Sequence, residues 1–546
     1  MRFPFLFNGR GIAMRFLPSA TFGATGSSRM LRVLTEFSEE NSSPERNEML
    51  VVSLRRSLIR EPQPPELDGG SLAPAWKGGS GATRILRSKR PSVSGPWNAG
   101  CGGVGLRGKR EDVFVLGLWY NGDMQNSFFG ERSDEKSLKW EKAVGREIPI
   151  YGRNEIRSDF ERDYTRILHC QAYRRLKHKT QVFYAPHNDH VCTRMEHVMH
   201  VASVAVTICK YLGLNEQLAN AIALGHDIGH APFGHHGEDC LNSLMEQKEG
   251  AGAPKKFWHE RNSLFFADYI ETLPDPDGIA QPLNLTYAVR DGLICHCGEI
   301  DQQGIRPRKD ALDLYSIKRP GLIQPFTGEG CVVKVADKIA YLGRDIEDAR
   351  QYHILDMGAY RHMREIVAST LNSKGSNAFR SGKAVNTTVL INDLIVDLCE
   401  QSSPEKGLCF SDEYFKFILE LKKFNFAHIY NHWRLLEFSK YADNCIETIY
   451  RTLMRFYEYA RNGRMAQALR YYPVLAKNFE EWLLKYTRYV PILWKKDVDK
   501  KRLLHINTVN IFDLDDIESY EKCVVEYISG MTDVFAISIY EEIISF

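Results

Sequence analysis

From about residue 135 onward the chain carries apolar residues at spacings of three and four, and that period restricts it to a mainly α fold. Val198, Val201, Ala202, Ala205, Ile208 and Leu212 mark one face of a helix, and Gly213 follows as a stop signal. Asn215 then supplies an N-cap for a second helix, lined by Leu218, Ala221, Ile222 and Gly225. That helix also carries Ala219, Ala223 and Leu224, so it is apolar nearly all round and is expected to be buried. Gly229, Pro232 and Gly234 end it. Further helices are expected at about 258–272, 283–297 and 330–352, and beyond 385 more follow, as in the core stripe Tyr414, Phe415, Ile418, Leu421 and Phe424. There is no internal repeat.

The first 123 residues differ. Turn-forming runs such as Pro62–Pro65 and Gly100–Gly108 leave no steady period. Arg2, Arg10, Arg15, Arg29 and Arg32 precede the first acid, Glu36, a bias that resembles a transit peptide. The irregularity favours a disordered extension, or upstream sequence ahead of a natural start at Met124. The expected organisation is therefore an extension over 1–123, a core over 124–385 and a C-terminal helical region over 386–546 packed on that core.

Lys plus Arg (71) nearly cancels Asp plus Glu (69), so bulk charge demands neither nucleic acid nor a membrane as partner. No window approaches 18 uninterrupted apolar residues, which argues against a membrane span. The 12 cysteines are scattered, and the nearest pair, Cys295 and Cys297, lacks a zinc-knuckle spacing. They read as small buried hydrophobes of a reducing, cytoplasmic compartment. A zinc site on His187, His190 and Cys192 lacks a fourth ligand at sensible spacing.

Histidines are concentrated: eleven of 17 fall between His169 and His259, about a sixth of the chain. His197 stands near a helix start, and the pair His226-Asp227 stands at the end of the buried helix. A buried Asp227 needs a partner or a cation, and imidazole with carboxylate is the donor set of a hydrolytic divalent metal. Asp337 lies near the middle of the 330–352 helix. By pattern it either faces the core with Val333, Ala340 and Tyr341 or is solvated beside Lys334.

The order His197, His226-Asp227, Asp337 resembles the H…HD…D signature of the HD phosphohydrolase superfamily. Four flanking segments narrow the likeness: Arg174–Phe183, Thr193–His197, Ala223–Glu238 and Ala336–Tyr341. They resemble the deoxyguanosine-triphosphate triphosphohydrolase (dGTPase) family, over about residues 140 to 440 and including Lys422–His432.

The resemblance implies a helical HD core in which His197, His226, Asp227 and Asp337 bind a divalent ion. Mg²⁺ or Mn²⁺ is expected, with Fe²⁺ or Zn²⁺ as alternatives. It implies His235 as catalytic histidine with Glu238 as its acidic partner, and His259 as a further active-site histidine. Arg194 and Lys338 match phosphate-holding cations, Gln181 and Tyr341 match residues beside the deoxyribose, and Asp345 a position close to the sugar. His236 departs from the small residue that many relatives carry, and Gln247–Phe257 is longer than expected. The implied substrate is dGTP or several deoxynucleoside triphosphates, cleaved to deoxynucleoside and tripolyphosphate. A homo-oligomer is implied, and relatives also answer to a nucleotide activator or single-stranded DNA. Two other readings share the four ligands: another HD phosphohydrolase acting on a nucleoside monophosphate, cyclic nucleotide or guanosine tetraphosphate, and a non-catalytic nucleotide-binding regulator.

Overall fold

A computed structural model describes residues 131–149, 156–184, 190–249, 257–275, 277–297, 301–371, 386–491 and 510–545. The extension over 1–123, Met124, His187 and most of 247–256 lie outside the described residues or have no described side chain. Chain contacts divide the protein after Val113, and the second unit, Phe114–Phe546, contains every element that follows.

Among the described residues, helices of seven residues or more run in this order: α1 Asp159–His169, α2 Arg194–Leu212, α3 Glu216–Gly225, α4 His235–Glu249, α5 His259–Phe265, α6 Tyr287–Cys295, α7 Gly328–Gln351, α8 Met357–Thr370, α9 Thr387–Gln401, α10 Asp412–Asn425, α11 Trp433–Arg455, α12 Pro473–Tyr486, α13 Ile517–Ser529 and α14 Asp533–Ile544. The fold is mainly helical, as the apolar period requires. One short hairpin interrupts it, β1 (Thr272–Pro274) against β2 (Ala280–Pro282), antiparallel with Leu273 opposite Gln281. The helix expected over 258–272 is correspondingly shorter. It ends in one wide turn, Phe266–Ile270, from which the chain turns extended at Glu271.

The central helices begin and end where side chains satisfy their free backbone groups. Thr193 and Glu196 form a capping box at the start of α2, and Gly213, at φ 73°, closes it in the left-handed conformation. Asn215 caps α3 by accepting from the Gln217 and Leu218 amides. The six residues of the α2 stripe are all buried, and so is the α3 sequence from Ala221 to Gly225. Helix α3 packs against α1, α2, α6 and α7, so it runs through the middle of the bundle. Its C-terminal end therefore delivers His226 and Asp227 into the interior. Late in the chain, α11 packs on α4 and on both α13 and α14, which ties the C-terminus to the helix that follows the His226 turn. No single helix among the described residues is long and apolar enough to cross a membrane.

A buried acid knits the outer part of this bundle. Glu329, fully buried at the start of α7, accepts from the Ser133 amide (3.0 Å), the Ser133 hydroxyl (2.8 Å) and the Asn215 amide (2.8 Å). Asn215 in turn donates its side-chain amide to the Ser133 carbonyl at 2.6 Å. Replacing Glu329 by Ala leaves three buried donors without an acceptor, at a cost on the order of 3 kcal/mol. The expected outcome is a clear drop in the urea midpoint, measured with and without the substitution. An unchanged midpoint would show that water replaces the carboxylate.

Candidate active site

Three helices converge on one buried cluster. Helix α2 contributes Arg194 and His197, one turn apart and both buried. The end of α3 contributes His226 and Asp227, and the middle of α7 contributes Asp337. The His197 Nε2 stands 3.0 Å from the Asp337 Oδ1. Of the two placements that the pattern allows, Asp337 takes the inward one, half-buried and turned toward His197. Donor atoms of His197, His226 and Asp337 lie within 4.8 Å of one another, and those of His226, Asp227 and His296 do likewise.

His226 carries the clearest sign of a cation. Its Nδ1 is 2.7 Å from the Ala223 carbonyl, which accepts the proton and leaves Nε2 with a lone pair. That Nε2 is buried and has no hydrogen-bond partner. A buried polar atom without a partner is costly, and this one faces the Asp227 Oδ1 at 3.5 Å. Two imidazoles and two carboxylates with such an orphaned nitrogen fit a divalent ion. The electrostatics agree in sign. Burial works to raise the Asp227 carboxyl, but His226, His230, Arg194 and His197 outweigh it and hold the group well below the carboxylate range. Asp337 is likewise held at about 2, burial being overcome by the His197 hydrogen bond and charge.

A stack of histidines flanks the cluster. His230 lies flat on His259, with ring centroids 3.9 Å apart, and His235 meets both rings edge-on, at 5.0 and 5.4 Å. His230 and His259 are buried, whereas His235 is exposed at the first residue of α4. Glu238, the acid expected beside His235, places its Oε2 3.0 Å from the His259 Nδ1. Glu260 approaches the same nitrogen at 3.5 Å. Burial lowers the His259 pKa, but the Glu260 charge and the Glu238 hydrogen bond raise it to about 10, so this ring is a cation at neutral pH. Burial and the nearby Arg194 charge push His230 well below its usual value, and it is neutral.

Among the cations, Arg194 gives Nη1 to the Asp227 Oδ2 at 2.7 Å, while its Nε and Nη2 are buried without a partner. Gly234, at φ +66°, makes room for that fork. A Cβ there would come within 2.7 Å of the Arg194 Nη2. Lys338 contacts the Asp301 Oδ1 at 2.5 Å, and Lys422 holds the other oxygen at 3.0 Å. Asp337, Tyr341 and Asp345 recur every four residues along α7 and share a face. Asp345 is raised to about 7 by burial, although it accepts the Tyr430 hydroxyl at 2.6 Å. The Gln181 Oε1 is buried with no partner.

Sequence reasoning names His230 without giving it a role, and passes over His296, Tyr430, Lys179 and Asp533. His230 sits inside the counted histidine cluster, and His296 sits between the two cysteines whose spacing excludes a zinc knuckle. Its Nδ1 is 2.7 Å from the Leu293 carbonyl, and burial together with His226 and His259 lowers its pKa to about 3.

Close backbone contact sets the spacing between the α3 end and α5. The Gly229 amide donates to the Ser263 Oγ (3.0 Å), Ser263 donates to the His226 carbonyl (2.6 Å), and Asn262 donates to the Gly229 carbonyl (2.7 Å). A Cβ on Gly229 would lie 2.1 Å from the Ser263 amide nitrogen. Gly229→Ala must therefore push His259 away from Asp227. An ångström of such displacement is expected to lower turnover roughly 10²-fold, read as kcat beside the unfolding midpoint. Full activity would show that α5 can shift without consequence.

The chain is similar to known proteins over this region. Residues 194–342 match the HD domain. A deoxyguanosinetriphosphate triphosphohydrolase-like protein of Caldanaerobacter subterraneus subsp. tengcongensis is 32% identical over 389 residues, covering 71% of this chain and 86% of the relative. One from Rickettsia canadensis is 30% identical over 416 residues, covering 74% of this chain and 97% of the relative. One from Desulfatibacillum aliphaticivorans is 37% identical over 278 residues, covering 50% and 67%.

Proposed function

The chain belongs to the HD-superfamily family of deoxyguanosinetriphosphate triphosphohydrolase-like proteins, and from that premise we propose that it cleaves deoxynucleoside triphosphates, dGTP or several of them, to deoxynucleoside and tripolyphosphate. Water attacks the α-phosphorus and the sugar 5′-oxygen leaves. The observation that carries this reading is the partnerless Nε2 of buried His226 beside Asp227, with two unpaired nitrogens of Arg194 on the far side of that carboxylate.

His197, His226, Asp227 and Asp337 would hold the cation, Mg²⁺ or Mn²⁺ by preference. When bound, it supplies Lewis acidity and a water of lowered pKa. The remaining work falls to the chain itself. The free Nε and Nη2 of Arg194 suit phosphate oxygens in the two-pronged way a guanidinium favours. Lys338 joins them by exchanging Asp301 for a phosphate oxygen. His259, kept cationic by Glu260 and Glu238, stands beside the charge that builds up on the reacting group. His235, at the exposed end of the stack, hands a proton to the 5′-oxygen, whose alkoxide is a poor leaving group. Gln181, Tyr341 and Asp345, the last braced by Tyr430, take the sugar side, where close fit disfavours a 2′-hydroxyl.

Incubation with each dNTP and its ribonucleotide, under Mg²⁺ and Mn²⁺, tests the reaction. Ion chromatography is expected to find tripolyphosphate from dNTPs only. Orthophosphate or pyrophosphate as the released product would move the protein to another HD activity. Within this scheme His235→Ala should lower kcat by about 10²–10⁴ while bound metal, measured by elemental analysis, stays unchanged. Loss of metal in that variant would place His235 on the ion instead.

A further inference from the structure

The residue before His235 and the one before that both adopt the left-handed backbone conformation, Phe233 at φ 63° and Gly234 at φ 66°. Glycine does this freely, whereas a bulky residue such as Phe does so only when its surroundings hold it there. What holds Phe233 comes from the other end of the chain. Asp533, the first residue of α14 and 1% exposed, accepts the Phe233 amide on Oδ1 at 2.9 Å. Its second oxygen accepts the Thr180 amide at 2.7 Å, one residue before Gln181. One carboxylate thus joins the turn that launches His235 to the segment that carries Gln181.

Lys179 completes the junction. Its ammonium, 2% exposed, donates to the carbonyls of His230 and Ser529, the latter at 2.8 Å. Burial pushes the Lys179 pKa well below the ordinary lysine value, and the nearby Asp533 charge works against that shift. The buried pair therefore gathers three stretches that are remote in sequence: 179–181, 230–235 and 529–533. Two neighbours add apolar contact at the same place. Phe233 packs edge-on against Phe438 of α11, and Tyr184 stacks on that ring at 4.8 Å. The Gly234 site also abuts Arg194, so the turn sets the proton donor and the phosphate-facing guanidinium together.

We propose that Asp533 is a positioning residue for catalysis, acting through His235 by fixing the left-handed Phe233–Gly234 turn. It touches no reacting atom. This inference rests on His235 being the proton-delivering group. It makes the last helix of the chain part of the active site's construction, although none of its side chains belongs to the H…HD…D set.

A double-mutant cycle separates this role from plain structural support. Asp533→Ala is expected to lower kcat roughly 10²-fold, with bound Mn²⁺ near the wild-type value. The double variant Asp533→Ala/His235→Ala should lose clearly less than the product of the two single losses, because the part of the tether's effect that runs through His235 is already gone. Effects that multiply in the double variant would overturn the proposal, as would an Asp533→Ala enzyme with full kcat. Should Asp533→Ala fail to fold, Asp533→Asn, which keeps one acceptor oxygen, carries the same cycle: non-additive effects are expected, and multiplying effects or full kcat overturn the proposal. His235→Ala retaining wild-type turnover is a separate result: it removes the assigned role of His235 itself, and the tether's role falls with it.

Discussion

Two carboxylates and two imidazoles held inside a helical bundle cannot stay there on packing alone. Taking Asp227 and Asp337 out of water is tolerable only if positive charge meets them. The molecule provides part of that charge itself, through Arg194 on Asp227 and His197 on Asp337. The bare Nε2 of His226 marks where the protein's own provision stops. Much of the surrounding architecture follows from this. Helix α3 is buried and apolar from Ala221 to Gly225, where its end lies deep, and of its neighbours α2 brings Arg194 and His197 to meet the acids while α7 brings Asp337.

The same logic orders the histidines. Neighbouring imidazoles avoid sharing charge, so His230 and His296 are neutral while His259, between Glu238 and Glu260, carries the proton. Charge in the cluster is thus partitioned by which ring a carboxylate can reach, not by the intrinsic basicity of the rings. Glu238 is one turn along α4 from His235, and sequence spacing alone favours that partner. Helix α5, docked on the Gly229 turn, adds a deeper ring, His259, within reach of a Glu238 oxygen.

The part of this that a sequence can disclose is the part encoded locally. The periods of α2 and α3, the stop at Gly213 and the cap at Asn215 depend on residues within a turn or two of each other, and each is found where the pattern requires. The position of Asp337 could not be decided that way, because its neighbours along α7 are apolar on one flank and cationic on the other, and only contact with α2 chooses. The β1–β2 hairpin was hidden by Thr272-Leu-Pro and Ala280-Gln-Pro, segments too short to show a strand period. Asp533 had no signal at all. An acid at a helix start reads as an ordinary cap, and its second duty exists only once 300 residues have folded between it and Phe233.

The bridge that Asp301 makes between Lys338 and Lys422 has a consequence for how anions enter. The two ammonium groups are not an open basic patch, since an internal carboxylate already answers them. In the proposed reaction a polyanion arriving here would swap places with Asp301, and the net gain would be the difference between two sets of contacts. Under the proposed function, a visitor with several negative charges would be favoured over one with a single charge by the resting arrangement itself.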